Sequence, residues 1–242
     1  MAQDNKLIRS LVESTRNGNN NAFEQLFKMQ VGYVFAISFR LLADLEDAYE
    51  NTSKVFLKAW ETISMVRRDS PFILWLKAIA IYSALQKIRE KDKSKITGNK
   101  PILDNIGLSF LDQEIISLPE SERIVFILSD IEHYQKEETS DLLSMTKKEA
   151  DDFLVSARKI LMEKLVLKSY DSLEITVKQL PESIEPAENL YIRISEEMSK
   201  KVIPDKKKRP ELAKDMDGES NDGKSKQNKK PFFFKDLFKK KE

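Results

Sequence analysis

The run YQKEETSDLLSMTKKEADDFLVSAR, Tyr134 to Arg158, decides the fold. Polar residues lead into Leu142 and Leu143, and Ser144-Met-Thr146 then interrupts the apolar spacing. Thr146-Lys-Lys-Glu149 fits a capping box, in which the threonine hydroxyl takes the third-residue amide and the glutamate reaches back to the cap. Helix, tight three-residue turn and second helix are the spacing of a helix-turn-helix, whose second helix enters the DNA major groove. That second helix carries Asp151 and Asp152, where phosphate would repel them.

Working outward, residues 111–168 form one helical unit around this motif. Residues 96–110 hold Gly98, Pro101 and Gly107 without a sustained period, and read as a flexible linker. Residues 5–95 form another helical unit. There Asn21 is the expected cap of a helix running to Leu42, with Phe23, Leu26, Phe27, Val34, Ile37 and Phe39 on a broad apolar face. Asp44 is positioned to cap the next helix, where Ala48, Val55, Phe56, Ala59 and Ile63 recur near helical spacing. Pro71 marks the first turn of a third, Phe72 to about Lys93, since proline fits where no helical amide bond is lost. Its apolar side is Phe72, Leu76, Ile79, Ala80, Leu85 and Ile88, and its other side is basic: Lys77, Lys87, Arg89, Lys91 and Lys93. Residues 169–202 are an extension whose structure the pattern leaves open, with an amphipathic stretch from Ala187 to Val202. Residues 203–242, rich in Lys, Asp, Ser and Gly, are expected to be a largely disordered basic tail with an apolar end. The fold class is therefore all-α: two small helical domains, a linker and a tail.

Composition narrows the chemistry. The 242 residues include no cysteine, which removes disulfides and thiolate metal sites, and one histidine, His133, which argues against a histidine metal site or catalytic dyad. No nucleophile–base or metal-ligand set is recognisable, so neither an enzyme, a cofactor nor a metal is expected. The longest apolar run, Val31 to Ala43, is broken by Arg40 and is too short to span a bilayer. With a polar N-terminus, the expectation is a cytoplasmic protein. The net charge of +1 hides an asymmetry: bases outnumber acids from Ile203 onward, and the remainder is net acidic. Nucleic-acid contact must then come from local basic faces.

Several phrases, in order, resemble the two conserved regions of bacterial RNA polymerase sigma factors of the extracytoplasmic-function type. They are NAFEQLF (21–27), DAYENTSKVFLKAW (47–60), PFILWLKAIA (71–80), LPESERIVF (118–126) and the helix-turn-helix. The resemblance covers about Leu7 to Leu165. It implies a non-enzymatic protein that directs core RNA polymerase to promoter DNA, commonly under an anti-sigma factor. Region two would dock on core through Asp47, Glu50, Ser53 and Lys54, although the family usually has glutamine at the position of Ser53 and often an acid at that of Lys54. It would also capture flipped bases of the −10 element. Arg67, Arg68, Lys77, Lys87 and Arg89 would neutralise phosphates there. Region four would set its recognition helix on the −35 element, with Lys147, Lys148 and Arg158 as basic contacts. Ser144 replaces the usual turn glycine, and Phe153 stands where arginine is frequent. Phe56 and Trp60 read as core residues before docking residues, and Tyr82 as core before a base-stacking residue.

An alternative stays open: a degenerate sigma-like protein that binds polymerase or an anti-sigma partner with weakened promoter readout. Phe232, Phe233, Phe234, Leu237 and Phe238, flanked by lysines, also fit a peptide that lies on a membrane surface or enters a protein groove. Gly218 to Ser225 satisfies the phosphate-loop spacing but lacks the strand before it and the helix after it, so chance explains it.

Overall fold

The computed structural model describes residues 2–66, 71–90, 108–168, 172–186 and 188–202, and every regular element among them is helical. Helix α1 (Ala2–Arg16) packs on α2 (Asn20–Leu42), and the Arg16 guanidinium reaches the Ile63 and Val66 carbonyls beyond α3. Gly18, at φ +87°, turns the chain, and Asn19 then caps α2 by accepting from the Ala22 amide at 3.2 Å. The cap is thus Asn19, not the expected Asn21, because the glycine turn completes the chain reversal two residues earlier. Helix α2 is buried on most of its circumference and ends at Ala43, in the left-handed region at φ 50°.

Asp44 caps α3 (Leu45–Thr62) as its position suggested, accepting from the Asp47 amide at 2.9 Å. Helix α4 (Phe72–Glu90) starts directly after Pro71, whose carbonyl takes the Leu74 and Trp75 amides. The expected continuation through Lys91 and Lys93 lies outside the described residues. Helices α1, α3 and α4 surround α2. Phe35 stacks on Tyr49 at 4.9 Å, and Phe27 meets Phe56 edge-on at 4.9 Å. Such pairs add to simple apolar burial. Phe56 is fully buried and Trp60 half-buried against Phe23 at 5.1 Å, which satisfies the core reading of both.

The second unit begins with α5 (Phe110–Ile116), capped by a Ser109–Asp112 box. Helix α6 (Glu120–Phe126) continues into one π turn, Ile127–Ile131. Helices α7 (Lys136–Leu143) and α8 (Lys147–Leu167) form the helix-turn-helix, with the Thr146–Glu149 capping box in place. Ser144 takes the left-handed turn conformation, φ 55°, for which glycine is the usual solution.

Both units share one continuous core. Helices α5 and α6 lie on α2. Arg40 of α2 and Asp112 of α5 form a buried ion pair at 2.8 Å, their side chains 2% and 1% exposed. Arg123 donates to the Leu41 carbonyl across the same seam. The extension is also built in. Helix α9 (Leu173–Lys178) packs on α8. Residues 181–185 cross α2, with the Ile184 amide on the Gly32 carbonyl at 3.1 Å and the Pro181 carbonyl on Arg40 at 2.6 Å. Helix α10 (Glu188–Val202) then lies against α3. No helix among the described residues is long and apolar enough to cross a membrane.

Candidate functional site

Three surfaces carry the residues singled out by sequence: the outer face of α3, the basic side of α4 and the start of α8.

On α3, Asp47 and Glu50 project from the first two turns, Lys54 is exposed and Ser53 is buried. Lys87 of α4 bridges both acids, reaching Asp47 at 3.1 Å and Glu50 more closely still. Partial burial works against its charge, but the two carboxylates outweigh that and hold its pKa above the ordinary lysine value.

The basic side of α4 is not an open face. Lys77 is mostly buried, 3.1 Å from both the carboxylate and the carbonyl oxygen of Glu132 and 5.7 Å from the centre of the Tyr134 ring. Burial, then the Glu132 charge, pushes the Tyr134 hydroxyl up to about 12. Arg89 donates to the Leu142 carbonyl at the end of α7. The side of α4 that a DNA strand would follow therefore faces the helix-turn-helix unit. Tyr82 is half-buried. Arg67 and Arg68 lie outside the described residues, as do Gly218–Ser225 and the Phe232–Phe238 segment.

At the start of α8, Lys148 is exposed, while Lys147 pairs with Glu137 at 2.6 Å and lowers that carboxyl's pKa. Asp151 is held by Lys136, and Asp152 is exposed. Arg158 forks onto Asp130 at 2.6 and 2.9 Å, a pairing that raises its pKa. No cluster of three metal-ligating side chains occurs among the described residues.

One element of the site escaped the sequence reading. Arg193 of α10 grips Glu46 of α3 with two hydrogen bonds, 2.5 and 3.1 Å, and this bonding holds the Glu46 carboxyl below the ordinary glutamate range. The amphipathic period of residues 187–202 signalled a helix that must bury one face. It carried no signal for which surface would receive that face.

Among the described residues every regular element is helical, and α7 and α8 with the short turn between them have the geometry of a helix-turn-helix, an arrangement used to place a helix in a DNA groove. No family model matches the chain. It is 19% identical over 161 residues to the ECF RNA polymerase sigma factor SigW of Bacillus subtilis, a match covering 57% of this chain and 86% of that protein. It is 30% identical over 76 residues to the RNA polymerase sigma-H factor of Pseudomonas aeruginosa, covering 31% of this chain and 39% of that protein. Among solved structures, CnrH in complex with the cytosolic domain of CnrY aligns with a TM-score of 0.42 and 21% identity, over 67% of this chain and 99% of that one. Both curated relatives are RNA polymerase sigma factors, and these low-identity similarities support a divergent sigma factor of the extracytoplasmic-function type.

Proposed function

We propose that this sigma factor directs core RNA polymerase to promoters through three contacts. Helix α3 docks on core through Asp47, Glu50 and Lys54, with Ser53 beneath them. Arg67 and Arg68 follow the melted −10 strand, and Lys77, Lys87 and Arg89 join them only once the helix-turn-helix unit has moved off α4 and Lys87 has exchanged its α3 carboxylates for phosphate. Lys147, Lys148 and Arg158 hold the phosphates beside the −35 element. The observations that carry this reading are the similarity to SigW over 161 residues, 86% of that protein, and the capped helix-turn-helix of α7 and α8. The chain contributes binding and positioning, works in the cytoplasm and catalyses no reaction of its own. An anti-sigma protein is its natural antagonist.

The test is run-off transcription with purified core enzyme on promoters from the gene's own neighbourhood. Transcripts that start at fixed positions and depend on the added chain are expected. Absence of core binding at micromolar protein refutes the reading.

A second reading has its own support: Asp151 and Asp152 stand on the helix that would face the groove. In that reading the chain binds polymerase or an anti-sigma partner with weakened −35 readout. Each lost or repelled DNA contact costs about 1–3 kcal/mol. Replacing both aspartates by lysine should therefore strengthen DNA binding and steepen its salt dependence, and unchanged binding discards this reading. The Phe232–Phe238 segment fits an apolar anchor for an anionic membrane or a protein groove. Co-sedimentation with liposomes, comparing the full chain with one ending at Lys230, decides the membrane form, and equal binding discards it.

A further inference from the structure

The acidic stripe of α3 is partly occupied from within, at Glu46 by α10 and at Asp47 and Glu50 by α4, while the Glu50 side chain stays 68% exposed. Glu46, Glu50 and Ser53 follow one another at helical spacing, so they share one side of α3. Lys87 neutralises Asp47 and Glu50 from α4, and Arg193 neutralises Glu46 from α10. Arg193 thus holds the kind of position that a basic residue of a docking partner would take.

Helix α10 is held by more than this exposed pair, which alone is weak. Ile194 is 1% exposed and belongs to the shared core. The Tyr191 ring lies 5.5 Å from Phe27 of α2, which in turn meets Phe56 of α3 edge-on. The strap leading into α10 is seated separately: Ile184 is buried, and its amide bonds the Gly32 carbonyl. A Cβ at Gly32 would come within 3.2 Å of Ser183 Cβ and 3.4 Å of the Ile184 carbonyl, so the strap runs close against the α2 backbone. The arrangement has two parts: a strap fixed on α2 and a helix folded over α3.

We propose that α10 is a built-in competitor for the α3 face, so that the full chain binds core polymerase only in the fraction of molecules whose α10 has lifted away. This rests on the docking role of α3 proposed above. Apparent affinity for a partner is divided by the fraction of molecules in the competent state. Anything that releases α10 therefore tightens core binding, and anything that fixes it loosens core binding.

The natural chain has no cysteine, so a single pair can be placed and linked cleanly. Full-length Glu46→Cys/Arg193→Cys joined by a reducible bifunctional linker holds α10 on α3, and reduction frees it. In parallel, full-length Arg193→Glu and Ile194→Asp release α10, with helicity followed by circular dichroism. Binding to purified core enzyme is measured for each form. The linked chain is expected to bind at least about tenfold more weakly than the same chain after reduction, and the releasing variants about tenfold more tightly than wild type. Equal binding by the linked and reduced forms overturns the proposal while leaving the docking role of α3 intact. The linked pair leaves Ile194 unchanged, so this outcome stands even if Ile194→Asp misfolds. If no form binds core, including the reduced and Arg193→Glu chains, the docking role itself falls and the proposal with it.

Discussion

Replacing Asp112 by alanine should be among the most damaging single changes to this chain. Its carboxylate accepts from Arg40 Nε at 2.8 Å through one oxygen. The other oxygen takes the Ser109 amide at 3.2 Å and the Ser109 hydroxyl at 2.6 Å. The substitution therefore removes the counterion of a guanidinium that is 2% exposed and leaves it bonded to the neutral Pro181 carbonyl. It also opens one side of the capping box of α5. Breaking one side of a buried ion pair costs about 3–5 kcal/mol. Losing a helix cap adds about 1 kcal/mol. Against a typical total of about 5–15 kcal/mol, such a loss removes much of the stability of the fold. Urea unfolding followed by circular dichroism measures it directly. Asp112→Asn should cost less, because its amide oxygen can still accept from Ser109. The double replacement Arg40→Met/Asp112→Leu should return to within about 2 kcal/mol of wild type, since an apolar pair leaves no buried charge uncompensated. A cost under about 1 kcal/mol for Asp112→Ala, or a double mutant as unstable as the sum of its singles, would refute a closed, desolvated pair at this seam.

Three further outcomes follow from particular contacts. Ser144→Gly should stabilise the helix-turn-helix by about 1 kcal/mol, because the left-handed turn strains any side chain with a Cβ; an unchanged urea midpoint would deny that strain. Gly32→Leu should unseat the strap while leaving α2 helical, so hydrogen exchange at the Ile184 amide should accelerate; full protection there would show that the close approach tolerates a side chain. Arg193 holds the Glu46 pKa below its ordinary value of 4.5. The α10–α3 ion pair is then at full strength above that value and is lost as the pH falls through the lower folded value. An NMR titration of the Glu46 carboxyl in the full chain checks the sign, and a midpoint at or above 4.5 contradicts it.

What the sequence revealed was chemistry that operates within a few residues. Asp44 and Thr146 were legible as caps because the amides they serve lie three residues away. Ser144 was legible as the turn residue only through the resemblance, in which glycine usually stands at that position, and its left-handed φ of 55° explains why. Even local reading missed by two residues at Asn19, since the run from Asn17 to Asn21 offers several equivalent caps and only the Gly18 turn selects one. The charged residues of α4 were the harder case. Lys77, Lys87 and Arg89 have the spacing of a solvated basic side, yet their partners are Glu132, Asp47 with Glu50, and the Leu142 carbonyl. In a chain with 41 basic and 40 acidic residues, composition cannot select among so many distant pairings. Helix α10 was likewise visible as an amphipathic period, while its seat on α3 depends on tertiary fit.

These pairings bear on how the molecule opens. Exposed pairs such as Lys147–Glu137, Arg158–Asp130 and Arg193–Glu46 are screened by solvent, contribute little and weaken further in salt. A phosphate backbone or a charged protein surface can replace such partners with little loss, so these contacts tune the closed form without locking it. Arg40–Asp112 is different in kind, because separating it exposes two charges that only each other and a few neighbours satisfy. If α10 lifts as proposed, exchanging surface pairs alone would leave this seam, and with it α5 on α2, in place. The buried pair is the fixed point about which the exchangeable contacts turn.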